Sequence, residues 1–382
     1  MSTLIKGIAW NHSRAFPPLV ATAQRYEELH PDTRIQWEKR SLDEFGHQPI
    51  DQMVEAYDLI IIDHPWAGFC FQKHLVLDLK PRLSPEQWRD LETNSIGKSF
   101  TSYYFQDKLM AVPIDAATPS ASYRQDLLQR HSISLPDNWD QLVLLADQKK
   151  AVMPAFGADL FLNWSMLVEA LEGDLIVDKD QICKPEIGRQ SMELLKRLSE
   201  PMPDQIYDAN PIQVAEWMTQ TDEIFYCPFA YSYNNYCRES FCGNRKLSYA
   251  PLVTLHGNTP LRSIIGGTGI AISSQCKEPQ PALDYALFTG SRKVQSGIYS
   301  LAGGQPSRRD SWRDLQDNPL YGGFYQDAFS DQERALIRPR YSGYVPLQSE
   351  GGIPLQQYLK DEISLQVAWD SLNQSYRKSR SL

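Results

Sequence analysis

Several features that would direct the reading are scarce in this chain. Its six cysteines (Cys70, Cys183, Cys227, Cys237, Cys242, Cys276) are too scattered for a disulfide framework. Cys237 and Cys242 lie in a stretch without histidine, so a zinc site there lacks two ligands and free thiols are expected. The longest apolar run, Leu59 to Ile62, is closed off by Asp58 and Asp63 and falls far short of the roughly 20 residues of a membrane span. Basic residues are in deficit, 38 Lys+Arg against 47 Asp+Glu, and the net charge of -9 opposes polyanions such as nucleic acid. The one basic cluster, Arg377, Lys378 and Arg380, reads as a solvated terminus. No HExxH, GxSxG or CxxC pattern announces a reaction class, and no metal or cofactor is called for. The opening Met1 to Lys6 runs into a strand without a charged and apolar leader, so the sequence as it stands is expected to be cytoplasmic. A periplasmic or extracellular place is expected instead if a native signal peptide has been removed.

What is present is a globular composition. With 382 residues, 42% hydrophobic and 22% charged, the chain has enough length for two domains or two lobes and is neither disordered nor fibrous. The first 80 residues alternate as β-α-β-α-β. Ile5 to Trp10 is strand-like, and Phe16 to His30 carries Leu19, Ala23, Tyr26 and Leu29 at helical spacing. Arg34 to Lys39 alternates again, a second helix runs through Ile50, Met53 and Val54, and Leu59 to Ile62 reads as a strand buried on both faces. A hairpin with its turn at Gln106-Asp107-Lys108 follows, and a helix starts near Trp139.

In open α/β sheets the ligand crevice lies beyond the carboxyl ends of the strands. Trp10-Asn11-His12-Ser13-Arg14 and Asp63-His64-Pro65-Trp66 fall there, and each joins an aromatic plate to hydrogen-bonding groups. A polyol is bound in this way, by aromatic faces against its C–H faces and by polar side chains on its hydroxyls. Tyr231, after a strand over Glu223 to Cys227, is expected to face the same cleft. Trp164 opens a helix-start pattern and either covers the ligand or belongs to the core. Arg14 either receives an anionic group or pairs with a carboxylate. Gly267 and Thr268, within Gly266-Gly267-Thr268-Gly269, either cradle an anion or form a hinge. A different reading makes His12, Asp63, His64 and Asp115 the acid-base set of a cytoplasmic enzyme or metabolite sensor.

The order of motifs carries a resemblance. Asp107-Lys108-Leu109-Met110-Ala111-Val112-Pro113 is followed by Tyr123-Arg124-Gln125-Asp126-Leu127, Pro136-Asp137-Asn138-Trp139-Asp140, and the strand Ile264 to Ser273. With Gly303-Gly304-Gln305-Pro306-Ser307-Arg308 it resembles the extracellular solute-binding proteins of ABC importers, in their carbohydrate-binding branch. The resemblance implies a two-lobed α/β fold of the type II periplasmic-binding kind, each lobe an open, mainly parallel sheet flanked by helices. It implies crossings near Pro113, near Ile264 and around Gly303 to Ser311, with one lobe formed by 1–112 plus 265–308 and the other by 113–264 plus 309–382. It further implies a monomer that closes by hinge motion on a carbohydrate or an acidic, hydroxyl-rich small molecule, puts Asp115 in the cleft wall, and makes a transporter permease the partner of an exported form.

Overall fold

A computed structural model describes residues 3–41, 44–45, 50–172, 175–176, 180–256 and 259–382. The expected opening alternation is present. Strand β1 (Thr3–Trp10) continues into helix α1 (Phe16–Leu29), which has prolines in its first turn, where a missing N–H breaks no helical bond. Strand β2 (Thr33–Arg40) pairs in parallel with β1 from Thr3↔Thr33 to Trp10↔Arg40. Strand β3 (Leu59–Ile62), wholly buried, pairs in parallel on the other side of β1. The helix expected through Ile50 to Val54 is reduced to a 3₁₀ turn at Ile50–Gln52.

The hairpin forms between Tyr104–Phe105 and Lys108–Leu109, with Gln106 and Asp107 both in the left-handed region, as a tight primed turn requires. Strand β4 (Val112–Pro113) then takes the edge of the first sheet, and the chain leaves that sheet. Strands β5 (Pro119–Tyr123), β6 (Tyr226–Tyr231) and β7 (Ser248–Ala250) make a second sheet in the order β6-β5-β7. Strand β8 (Gly269–Ile272) returns to the first sheet and lies antiparallel between β3 and β4. The molecule is thus a two-lobed α/β structure with open sheets.

The expectation of mainly parallel sheets needs correcting for the second lobe. Both pairings of its three-stranded sheet are antiparallel, and among the described residues parallel contact in this lobe is limited to the isolated bridges Asn138↔Thr254, Ala151↔Tyr226 and Ile264↔Leu336. The strand through Tyr231 also lies about four residues later than its apolar pattern indicates. Helices α2 (Gly157–Glu172) and α3 (Pro185–Ser199) cover this lobe, α4 (Pro279–Thr289) packs on the first lobe, and α5 (Tyr344–Leu359) and α6 (Leu365–Ser379) complete the cover of the second. Among the described residues no helix is long and apolar enough to cross a membrane, and all six cysteines are free.

Three separate segments meet where the two sheets join. The Ile114 and Asp115 amides donate to the Thr268 carbonyl, Thr268 donates back to Asp115, Gly266 donates to Ala117, and Ala116 donates to Gln305. Gly267 has φ +102 and lies so near the Asp115 carbonyl that a Cβ would come within 2.2 Å of it. Only glycine fits a turn that is left-handed and pressed against another backbone.

Candidate ligand-binding site between the lobes

A cavity of about 240 Å³ lies between the lobes, close to the lower end of the roughly 300–1,000 Å³ range of small-molecule sites. The carboxyl end of β1 supplies Trp10 and, after a turn, Arg14; the end of β3 supplies Asp63 and Trp66. Asp63 caps the 3₁₀ turn His64–Trp66 by accepting from the His64 amide, which holds Trp66 over the opening. From the opposite wall come Tyr231, the last residue of β6, and Tyr233 two residues on. Period-two alternation puts both rings on one side. Gly266 allows this packing, since a Cβ there would meet the Tyr231 ring at 2.4 Å.

Two arginines reach the cavity, and each is already paired. Arg14 Nη2 donates to Asp115 Oδ2 at 3.1 Å, and Nη1 donates to the Ser232 carbonyl at 3.1 Å. Its guanidinium stands 4.2 Å from the Tyr233 ring centre. Burial pushes the Asp115 carboxyl up to about 6, partly offset by Arg14, so it is ionised at neutral pH and holds Arg14 protonated. Arg338 is engaged at every nitrogen, with Nε on the Ile265 carbonyl, Nη1 on Gln348 Oε1 and Nη2 on Asp63. Burial alone raises the Asp63 carboxyl, but Arg338 and His64 outweigh it and draw it down to about 2.

Both histidines are neutral and turned to structural tasks. Burial, with the Arg14 charge, pushes His12 down to about 3; its Nδ1 accepts from the Arg14 amide, and its ring stacks on Trp10 at 5.2 Å. Burial, with Arg338, pushes His64 down to about 4, and its Nε2 accepts from the Arg338 amide. The Nδ1–H therefore faces Asp63 Oδ1, 3.1 Å away. His12 sits with Arg14, Trp10 and Tyr233, whereas His64 sits with Asp63, Arg338 and Tyr103. The four-residue acid-base set read from the sequence is split between two ion-paired clusters.

Of the residues expected at the ligand, Trp10, Arg14, Asp63, Trp66, Tyr231, Gly267 and Thr268 line the cavity. Asn11, His12, His64, Asp115 and Trp164 do not line it. Asn11 is exposed beyond the end of β1. His12, His64 and Asp115 stand behind the lining residues as their supports. Trp164 is 0% exposed in the middle of α2, with Nε1 donating to the Gly188 carbonyl at 3.0 Å, so the core reading is the right one. Of the two readings of Arg14, the ion pair is the one seen. The glycine segment is a close backbone junction rather than an anion cradle, because the Gly266 and Thr268 amides are engaged with carbonyls.

Among the cavity residues not singled out from the sequence are Tyr233, Asp159 and Arg338. Tyr233 was available from alternation with Tyr231. Asp159 lies in the first turn of α2, one helical turn before Leu162, which also lines the cavity. Burial pushes its carboxyl up to about 7, against the pull of Arg338. That carboxylate makes no hydrogen bond or ion pair with any other described residue, whereas the backbone amide of Asp159 donates to the Phe156 carbonyl. Arg338 has no local signature, since its partner Asp63 is 275 residues away.

Around these groups, buried polar atoms have no protein partner among the described residues: Trp10 Nε1, Arg14 Nε and the Tyr231 hydroxyl. Buried donors are normally satisfied, so such a set beside an aromatic-walled space marks a place for a polar guest. Among the described residues no group of His, Cys, Asp and Glu is arranged to hold a metal ion.

No protein-family description and no curated protein sequence matches this chain. Solved structures do. Maltose-bound MalE3 of T. maritima matches with a TM-score of 0.84 at 16% identity, covering 99% of this chain and 100% of that one. A solute-binding protein of an ABC transporter from Thermotoga lettingae, bound to alpha-D-tagatose, matches with 0.83 at 14% identity, covering 99% and 100%. Another from Agrobacterium radiobacter K84, in complex with ribitol, matches with 0.81 at 18% identity, covering 98% of each chain. The chain therefore has, from end to end, the two-lobed fold of ABC transporter solute-binding proteins.

Proposed function

We propose that this protein is the solute-binding component of an ABC importer and holds a carbohydrate or related polyol between its lobes. The observation that carries the reading is the cavity itself: aromatic rings of Trp66, Tyr231 and Tyr233 beside the unpartnered Trp10 Nε1, Arg14 Nε and Tyr231 hydroxyl. Rings offer faces to the C–H surfaces of a sugar and the orphan donors offer hydrogen bonds to its hydroxyls. Maltose, tagatose and ribitol in structures of the same fold support that ligand class.

In this reading the lobes are 1–112 plus 265–308 and 113–264 plus 309–382, and they swing about the junction of segments near Pro113, Ile264 and Gly303 to Ser311. Closure forms the ties that span the cleft: Arg14 to the Ser232 carbonyl, Asn235 Nδ2 to Ser13 Oγ at 2.8 Å, and Arg338 to Asp63. The closed monomer presents one ligand to a permease at the outer face of the membrane. An importer receptor works outside the cytoplasm, and cell fractionation checks that part directly. A thermal-shift screen over sugars, sugar alcohols, sugar acids and amino sugars tests the ligand class. A true ligand at 100 times its dissociation constant stabilises by about 2.7 kcal/mol. No shift with any of them contradicts the reading.

A further inference from the structure

We infer that the cavity is built for a polyol carrying a protonated amine, with Asp159 as its counter-charge, and against an acidic polyol. The inference rests on the proposed polyol site and specifies the charge of its guest.

The charges in and immediately behind the wall are Arg14, Arg338, Asp63, Asp115 and Asp159. Each arginine already has its own carboxylate, Asp115 for Arg14 and Asp63 for Arg338. An entering carboxylate or phosphate meets only guanidinium groups that are already ion-paired. Each nitrogen of Arg338 already donates one hydrogen bond inside the protein, and so does each terminal nitrogen of Arg14, whose Nε has no partner among the described residues. The positive charge of each arginine is therefore already met inside the protein before a ligand enters. The anion would also stand near three carboxylates.

Of the set, Asp159 alone has a charged side chain without a hydrogen bond or ion pair to another described residue. Half-buried in the cavity wall and without a partner among the described residues, its carboxylate is less well solvated than in the unfolded chain, and its proton affinity is raised for that reason. An ammonium group in the cavity supplies the missing partner. Tyr231, Tyr233 and Trp66 line the same space, and their ring faces favour a cation as well as the C–H face of a sugar. A neutral polyol can donate a hydroxyl to Asp159 but leaves its charge uncompensated.

Matched sets test this by titration calorimetry at pH 7.5: glucose, glucosamine and glucuronate, and the same three forms of galactose and mannose. In the set that fits, the amine form is expected to bind about tenfold or more tighter than the neutral form, in keeping with shielded charge pairs, and the acid form weakest. Asp159→Asn should bring the amine-to-neutral ratio close to one, and Asp159→Glu should keep it above one. Thermal melting of each variant confirms folding. A neutral form that binds tighter than its amine, or an acid form that binds best, overturns the inference while leaving the polyol site standing. A ratio unmoved by Asp159→Asn overturns the assignment to Asp159. Binding by none of the three classes overturns the polyol reading and this inference with it.

Discussion

Arg14 and Asp115 form a buried ion pair, Nη2 to Oδ2 at 3.1 Å with side chains 5% and 3% exposed. The other terminal nitrogen of Arg14 donates to the Ser232 carbonyl, just beyond the end of β6. One side chain thus joins the end of β1 to the junction segment and to the opposite wall.

Removing only the carboxylate leaves a buried, unpaired guanidinium. Asp115→Ala is expected to lower unfolding stability by about 3–5 kcal/mol. Arg14→Met combined with Asp115→Leu should recover most of that loss, because the desolvation penalty of both charges disappears with them. Urea unfolding of the single and double variants measures both effects.

Tyr231 separates ligand binding from folding. Its hydroxyl has no partner among the described residues, so Tyr231→Phe should leave apo stability unchanged or slightly raised. Ligand affinity should fall by about 1 kcal/mol, the usual worth of one hydrogen bond. Calorimetric titration and melting of the same preparation test the two halves.

Asp159 gives a pH signature with a definite sign. Its carboxyl is pushed up to about 7 by burial, above its ordinary value of 3.8, against the opposing pull of Arg338. The folded protein holds a proton there that the unfolded chain releases, so this group's contribution to stability falls as pH rises from about 4 to 7. Without ligand, Asp159→Asn should melt above wild type at pH 8, with the gap closing toward pH 4. A gap of constant size across that range contradicts the assignment.

Trp164 should behave as core. Trp164→Ala removes a fully buried indole and its bond to the Gly188 carbonyl, an expected loss of about 3–5 kcal/mol. Ligand affinity, measured below the lowered melting temperature, should stay close to wild type.

The strand pattern from Ile5 to Trp10 and from Leu59 to Ile62 made the first sheet readable, because local periodicity encodes both the strands and their ends. Trp10, Arg14, Asp63 and Trp66 were found for the same reason: they follow strand termini. Arg338 was not, because its position depends on the long return of the chain to Asp63. Asp159 was missed because an acidic residue in a helix's first turn is ordinary capping chemistry, and only the facing lobe makes it a cavity wall. Trp164 was ambiguous because an indole serves equally well as core or as a stacking plate. Its helix face was decided by packing rather than by spacing.

Calorimetric titration of the purified protein with the panel of neutral, amino and acidic sugars decides whether the space between the lobes is a polyol site. Saturable 1:1 binding of at least one polyol is expected, weakened by Tyr231→Phe with the protein still fully folded. No heat of binding with any neutral, amino or acidic polyol, from a protein that melts cooperatively, would contradict it.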